Sequence, residues 1–339
     1  MDKRITIRDV AENAGCSFVA VSRVLSGRDI RHVSPETRER VRSAAERLGY
    51  RPSPAARALR TGRTRTVGLL LGAFYNRMEG CVAHALTEAV KQCGYRLIIA
   101  LTNYDPEEER EALEDMLNRQ TDGVIDTLSL DPESPLALRL RRGGYPILLQ
   151  DNAQTFFSSA WYDYDTALPD VFAAFRRAGI RHVAMICSLF NGEADHRRAL
   201  AEEHGIELEC FTHGDGDHSL EHVYAEIAGK NIPGVFALES MVIRNFLESS
   251  ALAAPSYRPA CVCAYTLPFE YFRDERLLGA VFRPFRELSE QRVNMLVRMI
   301  ESPHTSRRTL RIPCRFTDRN ELERIHAEQL QDPYYRHFL

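Results

Sequence analysis

The 339-residue sequence contains no run approaching the ~18 apolar residues that a membrane-spanning helix needs, and its polar start, Met1-Asp2-Lys3-Arg4, lacks the apolar core of a signal peptide. Those absences point to a cytoplasmic protein with no membrane contact. No C-x-x-C pair occurs among the eight cysteines, Cys16, Cys81, Cys93, Cys187, Cys210, Cys261, Cys263 and Cys314. Scattered mostly through apolar runs, they read as reduced core residues rather than metal ligands. The run from His213 to His218, with His222 beyond it, holds ligand-type residues without a known metal spacing and reads as a solvated loop and helix start. No Ser-His-Asp, paired-carboxylate or phosphate-loop constellation with a defined spacing is present, so neither an enzyme nor a cofactor is expected.

What is present is charge of one sign at one end. The net charge of −3 hides a split: residues 1–63 carry 14 Lys and Arg against 7 Asp and Glu, a net +7, while the remainder carries 30 against 40, a net −10. A basic head on an acidic body is the electrostatic footprint of a nucleic-acid-binding module joined to something that is not one. At 44% hydrophobic residues the chain can bury a large core, and its length suggests two or three domains.

The basic head encodes three short helices. Thr6 is a candidate N-cap with Asp9 three residues on, and Ile7, Val10, Ala11 and Ala14 form an apolar stripe. Gly15 permits a tight turn, and Ser17 caps a second helix over 18–26. At about 100° per residue, Phe18, Val19, Ser22, Arg23 and Ser26 fall on one half of that helix and Ala20, Val21, Val24 and Leu25 on the other. One half packs, and the other is free to read something. Ser34, Pro35 and the terminator Gly49 frame a third helix with Val41, Ala44, Ala45 and Leu48 at helical spacing.

The spacing is that of a helix-turn-helix, and the residues resemble the LacI/GalR family of bacterial transcription regulators. The matching segments are Thr6-Ile7-Arg8-Asp9-Val10-Ala11-Glu12, Ala14-Gly15-Cys16-Ser17, Val21-Ser22-Arg23-Val24-Leu25, Val33-Ser34-Pro35-Glu36-Thr37-Arg38 and Leu48-Gly49-Tyr50-Arg51-Pro52. The loop from Gly27 to His32 is a residue or two longer than in many members. The resemblance implies DNA contacts from Thr6, Ser17, Phe18, Val19, Ser22, Arg23, Ser26, His32, Ser34 and Thr37.

Residues 53–62 encode about two helical turns, with Ser53 as cap, Pro54 at the first position and Gly62 at the end. Isolated helices under ~12 residues are marginal in water, so this one is expected to form only when DNA or a partner holds it. The family's hinge helix has this Ala-x-x-Leu pattern, and its paired leucines wedge into the minor groove at the operator centre. Leu59 stands at that place, Ala56 permits two hinge helices to approach, and Ser53 and Arg57 join the expected DNA contacts.

From residue 66 onward, short uninterrupted apolar runs (67–71, 97–101, 123–125, 147–149) alternate with capped helices. A second series follows after Ala160, with runs at 183–186, 208–211, 234–238 and 260–264. Such strands imply parallel sheets covered on both faces. The expected fold class is therefore a small all-α helix-turn-helix domain followed by an α/β body of two periplasmic-binding-protein-like subdomains with parallel sheets. The expected domains are 1–51, a hinge at 52–63, and a body at 64–317. Within the body, subdomain 1 is 64–162 with 284–317, subdomain 2 is 163–283, and a tail occupies 318–339.

Ligands of such folds sit in the crevice outside the carboxyl ends of the strands. By resemblance the effector contacts map to Phe74, Tyr75, Asn76, Asp151, Glu239, Tyr265, Arg283 and Phe285. The family's Arg after the strand ending at Ile186 is replaced by Gly192 or Glu193, its Asn-Asp pair by Glu239-Ser240, and its sugar-clamping Asp is absent from Cys263-Ala264-Tyr265-Thr266. The pocket therefore suits an anionic ligand, a different molecule, or none. The implied partners are a double-stranded operator, a small-molecule effector (a sugar, sugar phosphate or other anion) and a second copy of the chain. The tail, with only Leu322, Ile325 and Leu330 as regular apolar residues, is too short for a tetramerising zipper. The expected function is a dimeric repressor; the alternative is a regulator whose body only dimerises or binds a protein partner.

Overall fold

The computed structural model describes residues 5–26, 30–51, 58, 61–74, 77–118, 121–126, 133–150, 157–188, 194–213, 219–253, 256–302 and 306–338. Two compact units result, Met1–Thr66 with Leu117–Asp122, and Val67–Met116 with Gly123–Leu339.

In the first unit, helices α1 (Ile7–Ala14), α2 (Phe18–Ser26) and α3 (Pro35–Arg47) enclose Val10, Ala14, Val21, Val24, Val41 and Ala44. Side chains this small bury little apiece, so the ends matter. Thr6 and Asp9 form a reciprocal capping box, the Asp9 carboxylate accepting from Thr6 N at 2.7 Å, and Gly15 closes α1 at φ 58°. Ser17 Oγ accepts from Ala20 N at 3.2 Å, and Ser34 caps α3 by accepting from Thr37 N at 3.3 Å. Each such cap is worth about 1 kcal/mol. Arg38 ties down the connection before α3 by donating to the carbonyls of Val33 (2.8 Å) and Ile30 (2.6 Å). The hinge positions Ser53, Ala56, Arg57 and Leu59 lie outside the described residues. Just after them, Thr64 donates both its N–H and its hydroxyl to Asp122 Oδ1, and Arg65 N donates to Asp122 Oδ2.

The second unit contains two six-stranded sheets. In chain order the first series is β1 (Thr66–Leu71), α4 (Arg77–Gln92), β2 (Arg96–Leu101), α5 (Pro106–Asn118), β3 (Gly123–Asp126), α6 (Pro135–Gly143), β4 (Ile147–Leu149) and β5 (Ser158–Asp163). The second is α7 (Leu168–Arg177), β6 (His182–Ser188), α8 (Ala194–Glu203), β7 (Glu207–His213), α9 (Leu220–Gly229), β8 (Gly234–Ala237), α10 (Ser240–Ala253), β9 (Ala260–Tyr265) and β10 (Leu277–Phe282). Then come α11 (Phe285–Glu301), β11 (Thr309–Pro313), β12 (Arg315–Asp318) and α12 (Arg319–Gln331). The first sheet runs β11-β5-β4-β3-β1-β2 and the second β12-β10-β9-β8-β6-β7.

The apolar runs became strands, those inside the sheets (β1, β3, β4, β8 and β9) buried on both faces as covering helices require, and β2, at the edge of the first sheet, only half-buried. Two features differ from expectation. The second sheet is not wholly parallel, because β12 pairs antiparallel to β10. The chain also crosses between sheets three times rather than twice: after β5, after β10, and at Cys314 between β11 and β12. Residues after 313 therefore belong to the second sheet, and α12 is no loose tail. Its Leu322 and Ile325 enter the same core as Val235, Phe246 and Ala280. Gly279 permits the third crossing, since a Cβ there would stand 2.3 Å from Thr317 O on β12.

Candidate nucleic-acid interface and ligand crevice

The second helix divides as its spacing predicts. Val21 and Val24 are buried with Leu25 packed beside them, whereas Phe18 and Val19 are 51% and 53% exposed. Ser22 and Arg23 are half-buried and Ser17 and Ser26 exposed, so the free half presents two bare apolar side chains, hydroxyls and one guanidinium. Exposure of Phe18 is informative because it stands outside the apolar core of its own unit, leaving its ring without a packing role there. Thr6, His32 and Ser34 are surface residues; Thr37, half-buried, is bonded through both its N–H and its hydroxyl to Ser34. Thr6 and Ser34 thus spend their hydroxyls on capping.

In the second unit, of the expected effector contacts among the described residues, Tyr265, Arg283 and Phe285 come together, Arg283 N donating to Tyr265 O at 3.0 Å and Phe285 N to Arg283 O at 2.8 Å. Tyr75, Asn76 and Asp151 lie outside the described residues. Phe74, 50% exposed, follows β1, and the exposed Glu239 follows β8, so both sit past the carboxyl ends of strands. Tyr265 is 1% exposed and turned toward α12, its hydroxyl donating to Gln329 Oε1 at 2.5 Å with His326 Nδ1 at 3.2 Å. Phe285 packs with Cys81, Ala85 and Leu267. Tyr265 and Phe285 are core residues, taken from a ligand role by the helices that cover them.

Arg283 is buried beside Glu270, with Nη2–Oε1 at 2.5 Å, and its Nε donates to the Thr266 hydroxyl. Burial by itself would lower its pKa, but the Glu270 carboxylate together with the Tyr164 and Tyr162 phenols outweighs this and raises it. Glu270 also accepts from the backbone N–H groups of Thr266 (2.6 Å) and Leu267 (2.7 Å). This satisfied buried network positions the chain at its second crossing and leaves Arg283 engaged within the protein.

The sequence reading missed a second buried guanidinium. Arg292, on the buried stripe of α11 with Leu288, Val293 and Leu296, is 7% exposed, and its Nε donates to Ala160 O on β5 at 3.0 Å. Burial lowers its pKa to about 10. Tyr162 and Tyr164, ring centroids 5.9 Å apart at the first crossing, lie close enough to Arg283 and Arg292 to feel both charges. Burial raises both phenols well above their usual range, so they stay protonated and able to donate. An Arg on an otherwise apolar helical stripe was the visible signal. No group of His, Cys, Asp and Glu suited to a metal ion occurs among the described residues.

Comparisons with known proteins agree with this architecture. Residues 6–53 match the family model "Bacterial regulatory proteins, lacI family". The "Catabolite repressor/activator" of Salmonella typhimurium (strain LT2) is 34% identical over 163 residues, covering 47% of this chain and 49% of the relative. The chain thus spans about half the length of such relatives in the match. "Catabolite control protein A" of Priestia megaterium is 27% identical over 226 residues, 64% of this chain and 67% of the relative. Among solved structures, the Lac repressor dimer bound to operator and the anti-inducer ONPF shares the fold at TM-score 0.74 and 18% identity, covering 94% of this chain and 99% of that one. The Cra dual regulator of Pseudomonas putida in complex with fructose 1-phosphate does so at TM-score 0.61 and 17% identity, covering 75% and 98%. The N-terminal helices thus match the lacI-family model, and nearly the whole chain shares the fold of the Lac repressor.

Proposed function

We propose that the protein is a sequence-specific DNA-binding transcription regulator, a repressor that binds a pseudo-palindromic operator as a homodimer in the cytoplasm and whose affinity is set by a small-molecule effector. The observation that carries this reading is the free half of α2, with Phe18, Val19, Ser22, Arg23 and Ser26 presented from a unit of net positive charge. The proposed domains are the DNA-binding head at 1–51, the hinge at 52–63 with Leu59 as minor-groove wedge, and the effector-binding and dimerisation body beyond. The repressor and activator names of the relatives, and the operator in the Lac repressor structure, support it.

The reading mechanism follows from the side chains. Neither Phe18 nor Val19 can exchange hydrogen bonds with a base edge, and the apolar feature of the major groove is the thymine methyl. These two residues therefore favour T·A pairs where they touch. Arg23, one turn from Val19, makes the bidentate contact with guanine, worth about 1–3 kcal/mol of discrimination. Selection of sites from random duplexes is expected to yield a two-fold-related sequence with T at the Val19 position, altered by Val19→Gln. Loss of the guanine preference is expected in Arg23→Ala. A Val19 position that tolerates every base, or a guanine preference surviving Arg23→Ala, rejects this reading face.

The inward packing of Tyr265 and Phe285 favours a second reading, in which the body only dimerises or binds a protein partner. Ligand-induced stabilisation of the full chain separates the two.

A further inference from the structure

Strands β1, β3, β4, β5 and β11 of the first sheet all run parallel, so their amino ends lie along one edge, opposite the carboxyl ends where ligands of such folds sit. That edge carries a groove of its own. Two adjoining depressions of 200 and 190 Å³ share Ser158, Met299 and Ser302, and are walled by the last turns of α11 and by the segments leading into β4, β5 and β11. Its charge is of one sign: Arg298 and Arg308 line one half and Arg141 and Arg307 the other, with no Asp or Glu lining either among the described residues. Arg298, Arg307 and Arg308 have no ion-pair partner among those residues. The loop is held in place, since Arg307 Nε donates to Phe157 O at 3.0 Å and Arg308 N to Ser158 Oγ at 3.1 Å.

Four arginines without an acid stand out on a body whose residues sum to −10. The same edge receives the basic head: the chain enters the body through Thr64 and Arg65 at the amino end of β1, two strands from β4 in the order β11-β5-β4-β3-β1-β2. At ~4.8 Å per strand the groove begins about 10 Å from that entry. The proposed hinge, residues 52–63, spans at most about 40 Å, so a duplex held by the head is tethered near this edge. A second, weaker contact there gains from the effective concentration that the tether supplies. Two guanidinia in each of two adjoining depressions, rather than one cradle, suit successive backbone phosphates better than a single small anion.

We propose that the groove at the amino ends of β4, β5 and β11 binds the phosphate backbone of duplex DNA flanking the operator, through Arg298 and Arg308 in one half and Arg141 and Arg307 in the other. This rests on the reading of the chain as a DNA-binding regulator and gives its acidic body a DNA contact separate from the head. Phosphates carry no sequence information, so the contact adds affinity and salt dependence without adding specificity.

The test compares the affinity of the full chain for a duplex selected from random sequence, either trimmed to the selected bases or extended on each side by about 15 base pairs, ~50 Å of helix. Extension is expected to tighten binding about fivefold or more, and to steepen the salt dependence by about 0.9 for each further phosphate neutralised. In Arg298→Gln/Arg308→Gln, which alters two exposed side chains, most of both gains is expected to vanish while affinity for the trimmed duplex stays. Arg298→Lys/Arg308→Lys keeps both charges and is expected to keep the steeper slope. Gains that survive the Gln pair undiminished, or that the Lys pair loses as completely, overturn the proposal. Inorganic phosphate that raises the Tm of wild type but not of the Gln pair, with no effect of flank length, assigns the groove to a small anion and overturns it too. Binding of the trimmed duplex without any gain from flanks rejects this contact alone, whereas a chain that binds no duplex loses the DNA-binding function as well.

Discussion

At the scale of single residues, the buried polar groups are the ones whose environment sets their behaviour. His326 stacks on Tyr271 with centroids 4.2 Å apart, and its Nδ1 faces the Tyr265 hydroxyl. Since that hydroxyl gives its proton to Gln329, the neutral tautomer with Nδ1–H completes the pattern by donating to the phenol oxygen. Burial lowers the His326 pKa below 6.5. The unfolded chain therefore takes up this proton first as pH falls, and stability declines from about pH 6.5 down to the folded value, below which it levels off. His326→Gln is expected to flatten that part of the Tm–pH profile. Profiles of equal slope between pH 7 and 5 would show that His326 is not the group responsible.

At the scale of elements, α12 joins a strand pair to a core. Asp318 caps it by accepting from Glu321 N at 3.0 Å, and Leu322, 1% exposed, and Ile325 fill the space over β10 and β12. Leu322→Ala removes buried methyl groups where the surroundings are close-packed, a loss of about 2–5 kcal/mol. Leu330→Ala on the same helix changes a side chain that is 41% exposed, and little effect is expected. Urea unfolding of both variants checks this: similar midpoints would mean that α12 is an appendage after all. Tyr271 packs against the same core and stacks on His326 of this helix.

For the molecule as a whole, the decisive feature is the separation of charge, +7 over residues 1–63 against −10 over the rest. A head of that charge binds a polyanion by releasing its counterions. The logarithm of operator affinity is then expected to fall linearly with the logarithm of salt, with a slope of several units at about 0.9 per phosphate neutralised. Fluorescence anisotropy across a salt series measures it directly. A slope near zero for the full-length protein would rule out binding through this face.

Local signals determined what depends on neighbours in the chain. The capping box at Thr6 and Asp9, the turn at Gly15, the split of α2 into packed and free halves, and the alternation of apolar runs with capped helices were all legible, because caps and periodicities act within one or two turns. The third crossing was not legible: a four-residue strand, Arg315–Asp318, has no apolar run to announce it, and its pairing depends on the close approach that Gly279 permits across the sheet. The orientation of Tyr265 was likewise a tertiary decision. Its position at the carboxyl end of β9 suggested a crevice, but α12 arrives from 60 residues away in sequence to bury the ring and bond its hydroxyl to Gln329. The same holds for Arg292, conspicuous as an arginine on an apolar stripe, whose place is decided only when β5 brings the Ala160 carbonyl to its Nε. Local chemistry chooses the elements, while the partners of a buried charge depend on what long-range packing brings next to it.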